Sequence, residues 1–406
     1  MKQLRALLIG YSVPEILSQT LKKANFEIDL IIIESKNYKQ SLRNKLRNKF
    51  NSANTLKELL NTLSVNFIYD LVVLLDDRTV ADVSKLDLLD NIKIKFLPIA
   101  SIDKILYLSS KIGLSNILKK NEFNTPSFEV VQNESELESC ANKVTYPLMV
   151  KMDFSSGGQG VYKCNSYEEI LSYKEKYSYP LLIQKYILGD VIDLSGFYQK
   201  EQLIHFTYSR VEKSYPNKYG PSYLRTYYQL SCVESTVLKE LINLGKIISA
   251  NGFTNVTAIY SKSDNKRYYI EADMRPNVWF DFGKFMGNDL TFALRNYFTN
   301  RQILTEFASL KTSLPKFKTI PYYERMKFFQ VFINKFKCWD YIRANDIELV
   351  RYLISLSAQK VRSLTSRILQ KTFVPKLFLK NIRIIYRKYI LPIKITQFRN
   401  VTFVKA

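Results

Sequence analysis

The chain has 406 residues, with 46% hydrophobic and 14% aromatic content and a formal net charge of +23. That length supports two or three domains with their own cores, and the apolar content excludes wholesale disorder. The single histidine, His205, removes histidine-based metal or triad chemistry from consideration. The scattered Cys140, Cys164, Cys232 and Cys338 contain no Cys-x-x-Cys pair, so they read as small buried hydrophobes in a reducing compartment.

The first hundred residues alternate between strand and helix patterns. Arg5–Ile9 reads as a buried strand ending at Gly10, Glu15–Ala24 as a helix and Phe26–Ile33 as a second strand. Tyr69–Leu75 is a third strand, ending at Asp76 and Asp77, and Lys93–Leu97 a fourth. This alternation predicts a parallel sheet flanked by helices, of α/β class. Ligands bind such sheets beyond the carboxyl ends of the strands, where Gly10, Tyr11, Asp76 and Asp77 fall. These residues either wall a substrate pocket, or Asp76 caps the next helix. Arg43–Lys49 reads as a solvated helix face. The N-terminus carries no signal-peptide pattern and no apolar run approaches about 18 residues, so the expectation is a cytoplasmic protein without a spanning helix.

Leu106–Lys119 has helical spacing and contains Lys111. Pro147–Val161 then combines an apolar strand bearing Lys151 with a loop containing Ser156, Gly157, Gly158, Gln159 and Gly160. Three of the chain's 12 glycines lie within four positions. Glycines let backbone N–H groups approach phosphate oxygens, and a lysine adds a point charge. Neither the P-loop nor the dinucleotide spacing fits. Leu182–Gly189 is a strand running into a turn. Its extended Gln184, Lys185, Tyr186 and Ile187 can offer a carbonyl and an N–H to a base edge. In the Tyr- and Arg-rich stretch His205–Tyr228, Arg210 and Arg225 are candidates to grip a carboxylate or phosphate. His205 itself reads as a strand residue.

Tyr268–Asn277 ends a strand in Glu271, with Asp273 and Arg275 at two-residue spacing. Such residues share one side of an extended segment. A divalent cation relieves the repulsion of the two carboxylates, and Mg2+ takes one or two carboxylates plus phosphate oxygens. The arginine faces charge developing on a transferring phosphoryl group.

In this order, Lys111, Pro126, Lys151 with its glycine loop, Gln184–Gly189 and Glu271-x-Asp273-x-Arg275 resemble the ATP-grasp superfamily. The likeness is strongest to the carbamoyl-phosphate-synthase-like, carboxylate–amine ligase branch, and it covers about residues 1–300. The resemblance implies a Rossmann-like domain over 1–100 and a two-lobed, α+β ATP-grasp domain over 101–300, with lobes 101–180 and 181–300. Within it, Lys111 and Lys151 meet ATP phosphates, the loop from Ser155 to Gly160 closes over them, and Gln184–Ile187 bind adenine. Glu271 and Asp273 hold Mg2+, or Mn2+ as the alternative ion, while Arg275 and Lys151 act on the phosphoryl group. Arg210, Ser222 and Arg225 lie near the acceptor substrate.

The implied activity is an ATP-dependent, amide-forming ligase working through an acyl phosphate. A non-catalytic ATP-binding protein and an ATP-dependent phosphotransferase remain open. Two departures bear on the choice. The strand Asn255–Tyr260 lacks the usual acidic ligand, the nearest carboxylate being Asp264 in the following turn. Asp273 and Met274 also stand where the family carries asparagine and proline.

Past residue 300 the chain has 22 Lys or Arg against 5 Asp or Glu, and from Val350 onward no acidic residue at all. Ile347–Leu369 has helical periodicity, and Phe373–Phe403 interleaves aromatic and aliphatic with basic residues. The region 301–406 reads as basic and mostly helical. It is a candidate for an anionic membrane surface, for nucleic acid, or for a plain basic domain, and its apolar content favours a membrane over a duplex.

Overall fold

A computed structural model describes residues 3–11, 15–34, 55–155, 157–214, 218–300, 316–319 and 400–405. Three sheets organise them.

The first sheet comprises β1 (Leu4–Gly10), β2 (Phe26–Glu34) and β3 (Leu71–Leu74), joined at the edge of β2 by β14 (Asn400–Lys405). All its pairings are parallel. Both faces are buried, which is why β1 and β2 read as nearly continuous apolar runs. Leu4, Ala6 and Leu8 pack with Leu17 and Leu21 of the helix Glu15–Lys23. Leu7 and Ile9 pack on the other side with Leu56 and Leu60 of the helix Leu56–Val65.

The expected strand at Lys93–Leu97 is not one. Asp90–Lys93 is a short helix whose turns continue, with the amides of Ile94, Phe96 and Leu97 donating to Asp90, Lys93 and Lys93 carbonyls. An alternation of five residues is too short to set a period. Buried Phe96 instead serves the core, edge-on to Phe67 at 5.6 Å. The sheet's further strand comes from the far end of the chain.

The second sheet is small and antiparallel, in the order β4 (Phe128–Val131), β7 (Leu181–Lys185), β5 (Leu148–Met152), β6 (Val161–Cys164). One face, with Leu148, Val150, Leu181 and Ile183, covers the helix Leu137–Val144. Alternation turns Met149, Lys151 and Gln184 to the other face. β7 belongs to this sheet, so the chain leaves it after Lys185.

The third sheet is antiparallel, in the order β12 (Lys266–Asp273), β11 (Gly252–Ser261), β8 (Asp190–Gln199), β9 (Gln202–Ser214), β10 (Ser222–Tyr228), β13 (Lys316–Thr319). Ile192, Leu194, Val256 and Ala258 pack on Val237, Leu241 and Leu244 of the helix Ser235–Ile247. The opposite face looks toward the second sheet.

Beyond residue 300 the described residues are the two strands β13 and β14. The helical and membrane or nucleic-acid readings of the rest, and the basic stretch Arg43–Lys49, lie outside the described residues. No described helix is long and apolar enough to cross a membrane. Cys140 and Cys164 are buried as expected. Cys232 is exposed, because the single 3-10 turn that holds it has no buried residue, and Cys338 lies outside the described residues.

His205 on β9 is a structural residue. It is 2% exposed, and its Nε2 meets the Asn288 carbonyl at 3.2 Å. Burial pushes its pKa down from 6.5 to about 4. The folded state therefore resists a proton that the unfolded chain accepts, and stability present above pH 6.5 is lost as pH falls toward 4. A shift of this size corresponds to about 3 kcal/mol. Denaturant titrations from pH 7 to pH 4 should show this loss in the parent protein, and His205→Gln should flatten that part of the profile.

Candidate active site

The two antiparallel sheets face each other across a cleft of about 1240 Å³, closed on a third side by the helix Asp77–Lys85 of the N-terminal domain. The small sheet and its loops supply the positive wall, and the large sheet supplies the negative floor.

The positive wall depends on one helix start. The expected helix Leu106–Lys119 is broken: Ile102–Tyr107 is a 3-10 turn, and the α-helix begins at Lys111. Ser110 caps it, accepting from Gly113 N at 2.8 Å and donating to the Asp153 carboxylate at 2.9 and 3.0 Å. Asp153, buried at 6% exposure, also accepts from Ile112 N at 2.9 Å. A buried carboxylate at a helix N-terminus satisfies orphan amides and suits the helix dipole. It also pins the start of the glycine loop. Lys111 Nζ completes the clamp by donating to the Ser155 carbonyl at 2.7 Å and the Asp153 carbonyl at 3.2 Å.

Lys151 is 7% exposed and donates to Gln184 Oε1 at 2.7 Å. Burial lowers its pKa to about 8, a shift opposed by Glu271 and reinforced by Lys111. Gln184 is 1% exposed, and its Nε2 has no partner among the described residues. A buried donor without an acceptor is costly, so this position suits a ligand that brings one.

In the loop, Gly157, Gly158 and Gly160 have φ of 64°, 74° and 66°. A Cβ on Gly158 would stand 2.4 Å from the Tyr219 carbonyl oxygen, so only glycine lets this loop lie against the Tyr219–Gly220 backbone. Gly157, Gly158 and Gln159 line the cleft, whereas Gly160 packs under Met152. Ser156 lies outside the described residues.

Cross-strand register organises the floor. Asp193 on β8, Thr257 on β11 and Glu271 on β12 lie directly opposite one another. Ser195, Asn255 and Asp273 form the next row. Glu271 reaches this face through a β-bulge. Tyr269 pairs with Ala258 and Glu271 with Thr257, leaving Ile270 as the extra residue. Tyr269 is 1% exposed in the core. Without the bulge, Glu271 would follow it there, two residues on.

Burial pushes the carboxyls of Glu271 and Asp273 up. Asp193 and Asp77 add to the shift at Glu271, while Lys111 and Lys151 oppose it. Asp273 is driven well above the ordinary carboxylate range, with Glu271 adding to burial and Arg275 opposing. The floor is thus short of positive charge, as a site for a divalent cation should be. Among the described residues no cluster of three acidic, thiol or imidazole groups forms an all-protein cage. Mg2+ does not require one when phosphates complete its shell. Asp264 is away from the cleft, accepting from Tyr268 OH at 2.6 Å. Thr257 fills the central position of the row and donates to Asp193 Oδ1 at 2.7 Å.

Arg225 is 4% exposed. It meets Asp193 Oδ2 at 2.5 Å, donates to Ser222 Oγ at 2.7 Å and lies 4.4 Å from the Trp279 ring centroid. Its third nitrogen, NH1, has no partner among the described residues. Arg210 is not in this cleft. It pairs with Glu212 at 2.9 Å and lines a separate hollow with Tyr208, Tyr228 and Arg267. Its distance from the floor follows from alternation, since Ile192, its partner on β8, faces the core whereas Asp193 faces the cleft.

Arg275 donates through two nitrogens to the Asp77 carboxylate, NH2 to Oδ2 at 2.7 Å, and NH2 also meets Asp273 at 3.0 Å. Asp76 is the helix cap, accepting from Thr79 N at 2.8 Å, so Asp77 is left to face the cleft. Lys185, Tyr186 and Ile187 line the cleft edge. Sequence reasoning missed Asp153, Asp193 and the Asp77 contact. Asp193 could have been found as a polar residue between the apolar Ile192 and Leu194.

Residues 109–191 match the family described as RimK-like ATP-grasp domain. The chain is 22% identical over 228 residues to the carbamoyl phosphate synthase large chain of Thermoanaerobacter sp. (strain X514), an alignment covering 54% of this chain and 21% of that one. It thus spans about a fifth of the length of the curated relatives it matches. Among solved structures it is similar to the ADP complex of N5-carboxyaminoimidazole ribonucleotide synthetase, with TM-score 0.58 and 12% identity, covering 83% of this chain and 86% of the other. It is also similar to the L-amino acid ligase from Bacillus licheniformis, with TM-score 0.53 and 15% identity, covering 74% and 75%. The two facing sheets and the lysine-and-glycine wall agree with the matched segment: the chain has the fold of these ATP-grasp neighbours, and its residues 109–191 match the RimK-like ATP-grasp domain.

Proposed function

We propose that the protein is an ATP-dependent ligase that joins a carboxylate to an amine through an acyl phosphate. The observation that carries this reading is the convergence of Lys111, Lys151, Glu271 and Asp273 on one cleft, close enough for the lysine and carboxylate charges to act on one another. Similar folds include an amino acid ligase and synthetases solved with ADP.

In this reading the phosphates lie against Lys111, Lys151 and the glycine loop, and the adenine lies against the linker Gln184–Ile187. The unpaired Gln184 Nε2 gains its acceptor from the nucleotide. Glu271 and Asp273 would hold Mg2+, or Mn2+ with the same oxygen donors, which supplies positive charge to the phosphate oxygens. The substrate carboxylate oxygen attacks the terminal phosphorus, and ADP leaves. Arg275 stabilises the equatorial oxygens during the transfer. The amine nitrogen then attacks the acyl carbon, loses a proton and expels phosphate. Arg225, with Ser222 orienting its guanidinium, lies where it can hold an anionic group of the acyl substrate. Chain segments 1–100, 101–300 and 301–406 would act as substrate wall, ATP-grasp body and basic appendage.

Thr257 favours a second reading. It occupies the position between Asp193 and Glu271 where a third ligand would sit, so a protein that binds ATP without turning it over has a physical basis.

ADP formation with Mg2+ and ATP, measured across pooled carboxylic acids and amino acids, separates the two. Turnover that requires an acid and an amine, and that is lost in Glu271→Ala, establishes the ligase. ATP binding without turnover in any pool establishes the second reading. Lys151 gives a pH signature. Its pKa of about 8 means the ammonium is lost as pH rises through that value. Calorimetric ATP affinity should therefore fall above pH 8, and Lys151→Met should bind more weakly and lose this pH dependence. Gly158→Ala, strained at its φ of 74° and blocked by the Tyr219 carbonyl, should weaken ATP binding by about tenfold while leaving the melting temperature nearly unchanged.

A further inference from the structure

Arg275, the residue expected to face the transferring phosphoryl group, already holds an anion of the protein's own. Asp77 comes from the N-terminal domain, 198 positions away in the chain, and offers both carboxylate oxygens to two guanidinium nitrogens. This is the paired contact a guanidinium makes with a carboxylate or phosphate ligand.

Three further features set Asp77 apart from a structural ion-pair partner. Its side chain is 40% exposed against 20% for Arg275, so water can take over its solvation. Its carboxylate makes no other hydrogen bond among the described residues. It is also the first residue of the helix Asp77–Lys85, where a negative charge is favoured without any partner. Releasing Arg275 therefore costs Asp77 little.

The contact also adds negative charge where the site has least use for it. Asp77 raises the pKa of both Glu271 and Asp273, and a triphosphate arriving beside three carboxylates would meet repulsion from all of them. Arg275 does not depend on Asp77 for its position, because its NH2 also meets Asp273 at 3.0 Å.

We propose that Asp77 is an internal competitor for the anion site of Arg275: the N-terminal carboxylate occupies the guanidinium until the terminal phosphoryl group of a nucleotide displaces it. The proposal rests on the reading of the cleft as an ATP site. It assigns Asp77 a role in specificity that acts through Arg275, setting how strongly the site prefers a triphosphate over a diphosphate.

The test is a titration of ADP and of AMP-PNP, each with Mg2+, into the full chain. Five proteins are compared: the parent, Asp77→Asn, Asp77→Ala, Arg275→Gln and the Asp77→Asn/Arg275→Gln double variant. Removing the competing charge should tighten AMP-PNP about fivefold relative to ADP, the size expected for one partly exposed ion pair. Asp77→Ala should do at least as much, and the gain should vanish in the Arg275→Gln background. An AMP-PNP to ADP ratio that is unchanged or lower in Asp77→Asn overturns the proposal and makes Asp77 a support for Arg275. Failure of the parent protein to bind either nucleotide would instead sink the ATP reading, and this proposal with it.

Discussion

A β-strand has two faces, and in this protein three adjacent strands must agree on which one meets the cleft. β8 and β11 agree by simple alternation: Ile192, Leu194, Val256 and Ala258 face the core, while Asp193, Ser195, Asn255 and Thr257 do not. β12 cannot agree by alternation alone, because Tyr269 is core and Glu271 must be cleft, two residues apart. The extra residue Ile270 resolves the conflict. A bulge disrupts one ladder step and strengthens local twist, a small cost beside burying an unpaired carboxylate in an apolar core. The place of Glu271 in the acidic floor depends on that one inserted residue.

Those charges come in opposed sets that neither sheet could support alone. Lys151 is buried enough to lose basicity, and Glu271 and Asp273 are buried enough to resist ionising. Each set makes the other tolerable: Glu271 raises Lys151, and Lys111 and Lys151 lower Glu271. The balance is incomplete, with two pushed-up carboxylates on the floor and an amide nitrogen on Gln184 that has no partner among the described residues. A site left unbalanced in both senses, wanting a cation below and an acceptor above, is complementary to a metal–phosphate ligand that carries both.

Much of this was legible in the sequence. The alternation of strand and helix patterns over the first hundred residues announced a parallel sheet, and the spacing of Glu271 and Asp273 announced a shared side. What escaped reading was set by long-range register. Nothing local says that Asp193 stands opposite Thr257 and Glu271, or that residues 400–405 complete the first sheet. The true start of the helix at Lys111 was hidden for the same reason, since half of its cap is Asp153, 43 residues from Ser110. Nor did the arginine-rich stretch say which strand face each arginine takes: Arg225 lines the cleft and Arg210 a separate hollow. The five residues Lys93–Leu97 failed for the opposite reason: their local pattern fitted a strand, and the packing of Phe96 decided otherwise.

The first sheet is joined to the cleft by chemistry as well as by packing. Asp76 and Asp77 are neighbours at the end of β3, yet they divide two tasks. Asp76 spends its oxygens on Tyr11 N and Thr79, closing the turn and starting the helix. Asp77, with no such local duty, projects to Arg275. The carboxyl end of a parallel strand thus delivers a charge to the cleft between the two antiparallel sheets. A shift of the helix Asp77–Lys85 changes the electrostatic field at Glu271 and Asp273. The first sheet is therefore part of the active-site electrostatics, and its fourth strand, β14, ties the end of the basic C-terminal region to the same body.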